Sequence, residues 1–428
     1  MTGSEDSKVS ENREMLVRAQ QSGWFGTLGA YTRLSGPGWL QSAITLGGGS
    51  LAGSLFLGVL GGTKLLWLQL VAIAMGVVML SAISYVTLST GQKPFQAINK
   101  HINPVLGWGW LIATVMANVI WCMPQFSLCY AALRENLIGP AVGDSQSGKL
   151  MVSAVILAAT FTVVLMNRKQ GVGARLFDLL LKALVGMIVL CFFGVVIYLT
   201  VNGNLNWGEI LSGFIPDLSQ ATNPTGDVAS LVASLPESLQ SFWSERIVKE
   251  QRAVMIGAAA TAVGINMTFL LPYSMLNRGW DKPFRGLARF DLCTGMAIPY
   301  IIVTSCVVIA SAASFHAKID DAYLSQQPEE FVTSPLFMGS LKSLQARLEV
   351  APTSGSGETA SLSTEEAEQL ALVKEKLGEK NFAAVAGGQS DEQAWEKITA
   401  MAELPEVEKR IASTLVQRTA FQLSESLA

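Results

Sequence analysis

The sequence predicts an all-α, polytopic membrane protein with an added soluble helical region, on three observations. Half of the 428 residues are apolar and only 15% are charged, with a mean hydropathy of +0.38, whereas an ordinary soluble chain is roughly 25% charged. The charge is unevenly spread: residues 65–88, 150–166, 183–201, 253–276 and 292–315 contain no Asp, Glu, Lys or Arg. After residue 316 the character reverses, with 18 acidic and 10 basic residues. A bilayer span takes about 20 apolar residues, within a range near 17 to 25. The uncharged stretches are therefore read as membrane helices.

In chain order, residues 1–35 are polar and lack a short apolar core after a basic start, so they are not a secretory signal and are assigned to the cytoplasm. Residues 36–315 form the transmembrane domain, with seven apolar segments at 37–62, 65–90, 104–132, 150–167, 181–201, 253–277 and 292–315; the first is interrupted by glycines. Starting inside, the inner connections carry Lys93 and Lys100, then Arg168, Lys169 and Arg175, then Arg278, Lys282, Arg285 and Arg289, while the short outer ones offer mainly Lys64, Arg134 and Lys149. The excess of inner cations places the amino terminus on the cytoplasmic side of a bacterial-type inner or plasma membrane. Arg246, Lys249 and Arg252, before the sixth segment, run against this pattern.

Seven spans put residues 316–428 outside, as an acidic, mostly helical region. "STEEAEQLALVKEKLGEK" has helical spacing, and Ser363 with Glu366 forms a capping box that opens it. "APTSGSGETASLS" before it is a flexible linker by composition. The sequence reaches "FQLSESLA" without a return to the membrane, which reads either as an outer tail or as the front portion of a longer membrane protein.

Several chemistries are poorly supported. The five cysteines lie in apolar stretches, have no C-x-x-C spacing and do not cluster with the two histidines, so disulfide and zinc readings give way to buried thiols acting as small hydrophobes. "GDSQSGKL" at 143–150 fits G-x-x-x-x-G-K but has Leu150 where a phosphate loop needs Ser or Thr, and no strand precedes it. No nucleophilic triad or intramembrane carboxylate pair can be assembled. We therefore expect no enzyme, no cofactor and no nucleic-acid partner; the expected partners are the lipid bilayer and a transported ion or small solute.

The informative feature is a pair of backbone breaks. "LGGGS" at 46–50 sets Gly47, Gly48 and Gly49 beside Ser50 inside an apolar span, although Gly costs about 1 kcal/mol against Ala in a helix. The sixth segment carries Gly264, Asn266 and Thr268, then Pro272. Interrupted spans in corresponding positions of two halves point to a secondary transporter's substrate site, and the first and sixth correspond if the repeat is five helices long. Unwinding leaves carbonyls at one half-helix end and N–H groups at the next start. Carbonyls suit a cation and N–H groups an anion. The alternative reading, small residues permitting close helix packing, explains Gly53, Gly58 and Gly62 well. Gln125, after Pro124, is a further candidate, as is Asn118, although either amide could equally bond another helix.

The stretch "GPGWLQSAITLGGGSLAGSLFLGVLGGTKLLWLQLVAIAMGVVMLSAISYVTLSTGQ" resembles the opening of the Nramp (natural resistance-associated macrophage protein) family of proton-coupled divalent metal ion transporters, and the region around Gly264 resembles its sixth helix. The similarity covers about residues 33–315. It implies the inverted-repeat fold of five plus five helices, with an incomplete second repeat here, so that carboxy-terminal helices encoded by the rest of the gene would be missing. By position the family's metal-binding aspartate falls on Gly47 and its asparagine on Ser50. Its methionine, proline and histidine fall on Gly264, Ile265 and Asn266. The chain thus resembles a divergent member without the usual metal-binding side chains. The expected site is neutral: Gly47, Ser50 and Asn266 as metal candidates, with Gly48, Gly49, Gly264, Thr268 and Gln125 lining it. The coupling ion, proton or sodium, is left open. Two other readings stand beside metal transport: a small-solute symporter similar to amino-acid permeases, and a non-transporting membrane sensor using its acidic outer region.

Overall fold

The computed structural model describes residues 2–134, 146–168, 172–350 and 362–427. Most of the 351–363 linker, Lys169 and the start of the "GDSQSGKL" stretch lie outside the described residues. Every regular element among those described is helical. Among the described residues, six helices are long and apolar enough to cross a membrane, and a seventh span is counted when one bent pair is taken together. The contacts divide the chain into two compact units.

The first unit comprises 1–51, 68–197 and 257–306. It opens with α1 (Thr2–Gln21), α2 (Trp24–Leu34) and α3 (Pro37–Thr45), followed by the start of α4 (Gly48–Gly61). Then come α5 (Trp67–Thr90), α6 (Pro94–His101), α7 (Pro104–Ala132), α8 (Gln146–Arg168) and most of α9 (Val172–Val201). The local chemistry is ordinary. Asn103 caps α7 by accepting from the Val105 N–H at 2.8 Å, with Pro104 at the first position. Gly91, at φ 66°, supplies the left-handed residue just past α5.

Ile112, Val115, Met116, Val119 and Met123 on α7, and Val155, Leu157 and Phe161 on α8, are exposed. Apolar faces of this size need a lipid or protein cover. All five cysteines are unpaired; only Cys306 is buried, so the other four are not the buried thiols expected.

The second unit comprises 52–67, 198–256 and 307–428. Here α10 (Trp207–Ser212), α11 (Asp227–Ala233) and much of α12 (Glu237–Ala262) join the rest of α4, the end of α15 (Ile298–Phe315) and the carboxy-terminal helices. Those are α16 (Asp321–Leu324), α17 (Pro328–Phe331), α18 (Phe337–Val350), α19 (Thr364–Ala386), α20 (Asp391–Ala402), α21 (Glu406–Thr414) and α22 (Ala420–Leu427). They share one core with the front of α12, built on Trp243, Ile247, Tyr323, Phe331, Phe337 and Trp395. Ser363 and Glu366 form the capping box at the start of α19. Within the core, Arg347 pairs with Glu408, whose other contact is the Trp243 indole N–H at 3.1 Å. Lys409 is also sealed from solvent, donating to the carbonyls of Ala402 and Ser325 at 2.6 and 3.1 Å. Desolvation lowers its ammonium to about 8.

Candidate functional site

The first break is anchored from below. In Gly36-Pro37-Gly38 the proline occupies the first position of α3, where its missing N–H costs nothing. The carboxylate of Asp291, at the end of α14 (Arg285–Asp291), accepts from the Gly36 and Gly38 N–H groups at 3.1 and 2.5 Å and from the Ser35 hydroxyl. An acidic group at a helix start is favoured by the dipole and by the unsatisfied N–H groups there. A Cβ on Gly38 would strike the backbone carbonyl of Asp291, so that glycine is fixed by close approach. A π-helical turn, Leu292–Ala297, follows Asp291 and packs on α3.

Nine residues on, α3 ends, and α4 begins after a 53° bend. The Gly47 N–H turns back to the Ile44 carbonyl at 3.2 Å, while the Gly47 carbonyl accepts from Ser50 and Leu51 at 3.1 and 3.2 Å. Gly47 is thus where one half-helix stops and the next starts. Gly48 is pressed against α7: a Cβ there would stand 2.5 Å from Leu128 Cδ1 and 3.1 Å from Gln125 Oε1. Gly49 faces open space. Packing therefore explains the second glycine of "GGG" but not the third.

The second break separates α12, which ends at Ala262, from α13 (Ile265–Asn277). Gly264 lies at φ −81°, a value open to any residue, so its glycine is required by space: a Cβ would meet the Trp121 ring. Trp121, Gln125 and Leu128 are spaced at i, i+4 and i+7, so one face of α7 covers both breaks.

The two breaks meet. Ser50 Oγ donates to the Thr261 carbonyl on the last turn of α12 at 3.1 Å, and Thr45 Oγ1 lies 3.6 Å from Met267 Sδ on the first turn of α13. Of the residues singled out from sequence, Gly47–Ser50, Gly264 and Gln125 gather here. Asn266 and Thr268 are present on α13, but their oxygens are engaged locally. Asn266 Oδ1 accepts from the Met267 N–H at 2.9 Å, and Thr268 donates to the Ile265 carbonyl at 2.6 Å. Asn118 donates to Thr114 within its own helix at 2.8 Å.

Sequence reasoning missed Gln41, Ser42, Thr45 and Met267. Gln41 and Ser42 are wholly buried on α3, and the Gln41 amide and the Ser42 hydroxyl have no hydrogen-bond partner among the described residues. An amide buried in that way is costly. The signal is in the sequence: a glutamine in "WLQSAIT" at membrane depth, like Gln125, is costly unless it faces a cavity or another helix. Met267 returns a thioether to the break three residues beyond the position where the family pattern places its methionine. Among the described residues, no three of His, Cys, Asp and Glu come together in a metal-holding group. The donors at the breaks are neutral.

Residues 38–330 match the family described as "Natural resistance-associated macrophage protein-like" (Nramp). The chain is 26% identical over 189 residues to the divalent metal cation transporter MntH of Brucella suis biovar 1 (strain 1330), covering 44% of this chain and 38% of that protein. It is 27% identical over 200 residues to the metal transporter Nramp6.2 of Populus trichocarpa, covering 47% of this chain and 34% of the relative. The aligned part thus spans little more than a third of the length of these relatives. A crystal structure of a mutant manganese transporter from Eremococcus coleocola overlaps 91% of this chain and 69% of its own, at 15% identity and a TM-score of 0.46. With its apolar helices and a profile match running from the first break past the last span, this chain is an integral membrane protein belonging to the Nramp family.

Proposed function

We propose that the chain acts as a membrane secondary transporter, moving a divalent metal cation through the paired helix breaks. The observation that carries this reading is the 3.1 Å hydrogen bond from Ser50 to the Thr261 carbonyl, which joins the two interrupted helices at one point. Family membership and the names of the relatives, a divalent metal cation transporter and a metal transporter, support the class of cargo. The ends of α3 and α12 at the breaks are both carboxy-terminal, and such ends carry roughly half a negative charge. They are what a cation would meet, as in other discontinuous transporter helices.

The lining consists of backbone groups at Gly47–Gly49 and Gly264, the side chains of Ser50, Asn266, Thr268 and Gln125, and the additional Gln41, Thr45 and Met267. It holds no carboxylate to offset a double charge, so the ion keeps part of its water shell, as magnesium readily does. One thioether gives manganese or iron a modest preference over harder ions. The amino-terminal segment 1–35 is cytoplasmic in this reading, and 316–428 lies on the opposite face of a bacterial-type membrane.

Proteoliposomes carrying the full chain should take up Mn²⁺ and Mg²⁺. Ser50→Ala and Gln41→Ala should each reduce uptake severalfold, and added amino acids should not compete. Uptake unchanged in both variants would overturn the site, and competition by amino acids without any metal response would overturn the cargo.

A further inference from the structure

Away from the breaks, the first unit holds a cleft of about 690 Å³ where spans end: Val17 and Gln20 of α1, Tyr31 of α2, Ser81 and Tyr85 of α5, and the turn and helix bearing Lys282, Arg285 and Arg289 line it. Three of these side chains are cations and none is acidic. The nearby acids are already engaged: Asp281 with Arg13 at 2.5 Å, and Glu14 with Arg18 at 3.2 Å. Lys282, Arg285 and Arg289 pair with no carboxylate among the described residues. Arg285 is held in place, its guanidinium 4.6 Å from the Tyr85 ring centre, Nη1 donating to Ser89 Oγ at 3.2 Å and Nε to the Lys282 carbonyl at 3.1 Å. The Ser81 hydroxyl has no hydrogen-bond partner among the described residues. Three converging cations without counter-charge repel one another and favour an anion between them; guanidinium groups match phosphate oxygens especially well.

We propose that this cleft binds a phosphate-bearing group. A membrane lipid is one source. On α5, Val78 and Val71 lie about two and four turns before the cleft residue Tyr85 on the same side, and both are exposed, so an apolar strip leads out of the cleft along the span. A basic pocket between membrane helices, opening at the end of a span, is the setting in which anionic headgroups are recognised. Free phosphate is the other source, and it would use the cations without the strip.

The test uses the purified full chain in neutral detergent, with native mass spectrometry and thermal unfolding read against added phosphatidylglycerol, phosphatidylcholine and inorganic phosphate. Saturable one-to-one binding of phosphatidylglycerol with a raised melting temperature, and none with phosphatidylcholine, is expected for a lipid site. The same protection by inorganic phosphate alone assigns the free anion. The double variant Lys282→Gln/Arg289→Gln should bind about thirtyfold more weakly, since each basic residue near a membrane surface contributes about 1 kcal/mol. Ser81→Asp, which breaks no hydrogen bond among the described residues, should abolish binding while the protein stays monodisperse. Equal weakening by Lys93→Gln/Lys100→Gln, outside the cleft, or no response to any of the three additives, would overturn the proposal.

Discussion

Glu408→Gln should strongly destabilise the second unit. Both partners of the Arg347–Glu408 pair are buried, with side-chain exposures of 8% and 1%. Glu408 takes two guanidinium contacts, that from Nη2 at 3.0 Å, and the Trp243 N–H at 3.1 Å. The substitution keeps the shape but removes the carboxylate charge with which Arg347 pairs in the core, and removing one partner of a buried pair costs about 3–5 kcal/mol. At roughly 2–4 °C per kcal/mol for a unit of this size, the melting temperature should fall by about 6–20 °C. Unfolding of the purified full chain, followed by tryptophan fluorescence, gives the measurement. The double variant Arg347→Met/Glu408→Leu should recover most of the loss, because an apolar replacement of the whole pair is often neutral or stabilising. A shift under 2 °C for Glu408→Gln, or a double variant as unstable as the single, would refute the claim that the buried Arg347–Glu408 pairing sets the cost.

Other consequences follow from close approach and titration. Gly38→Ala sets a Cβ against the Asp291 backbone, which cannot retreat as a side-chain tip can, so the loss should reach about 3 kcal/mol, the upper end for overpacking. Gly49→Ala, facing open space, should leave the melting temperature unchanged or slightly raised; thermal unfolding of the two variants side by side checks both. His316 sits among α4 and α11: its Nε2 accepts from the Asp227 N–H at 3.2 Å, which leaves the ring proton on Nδ1 to donate to the Val59 carbonyl at 2.9 Å. Burial lowers its pKa below 6.5, against the opposing pull of the Asp227 carboxylate. The unfolded chain therefore binds the proton more readily. Stability is full above about pH 6.5 and falls as the pH drops through that value. A denaturation series from pH 7.5 to 5 should show this slope, and His316→Gln should flatten it.

Much was legible in the sequence for a simple physical reason. Spans reveal themselves by length and missing charge, because lipid leaves no other solvent for their side chains, and all seven apolar segments correspond to candidate spans or to the bent pair. The breaks were legible too, since Gly47–Gly49 and Gly264 are expensive in helices unless something requires them. The capping box at Ser363 is local, set within four residues.

What only the tertiary structure decided is which partner each residue meets. Composition could not say that Gly48 abuts α7 while Gly49 faces open space, or that Asn266 folds back onto its own helix start. Nor could it show that Met267 comes within reach of Thr45 from 222 positions away, or that the buried Gln41 amide has no hydrogen-bond partner among the described residues. The helical core after residue 316 recruits the front of α12 through Trp243 and Ile247, contacts that no local pattern encodes. Chain-local energetics fix helices, caps and breaks; the three-dimensional packing of distant segments fixes the chemistry at those breaks.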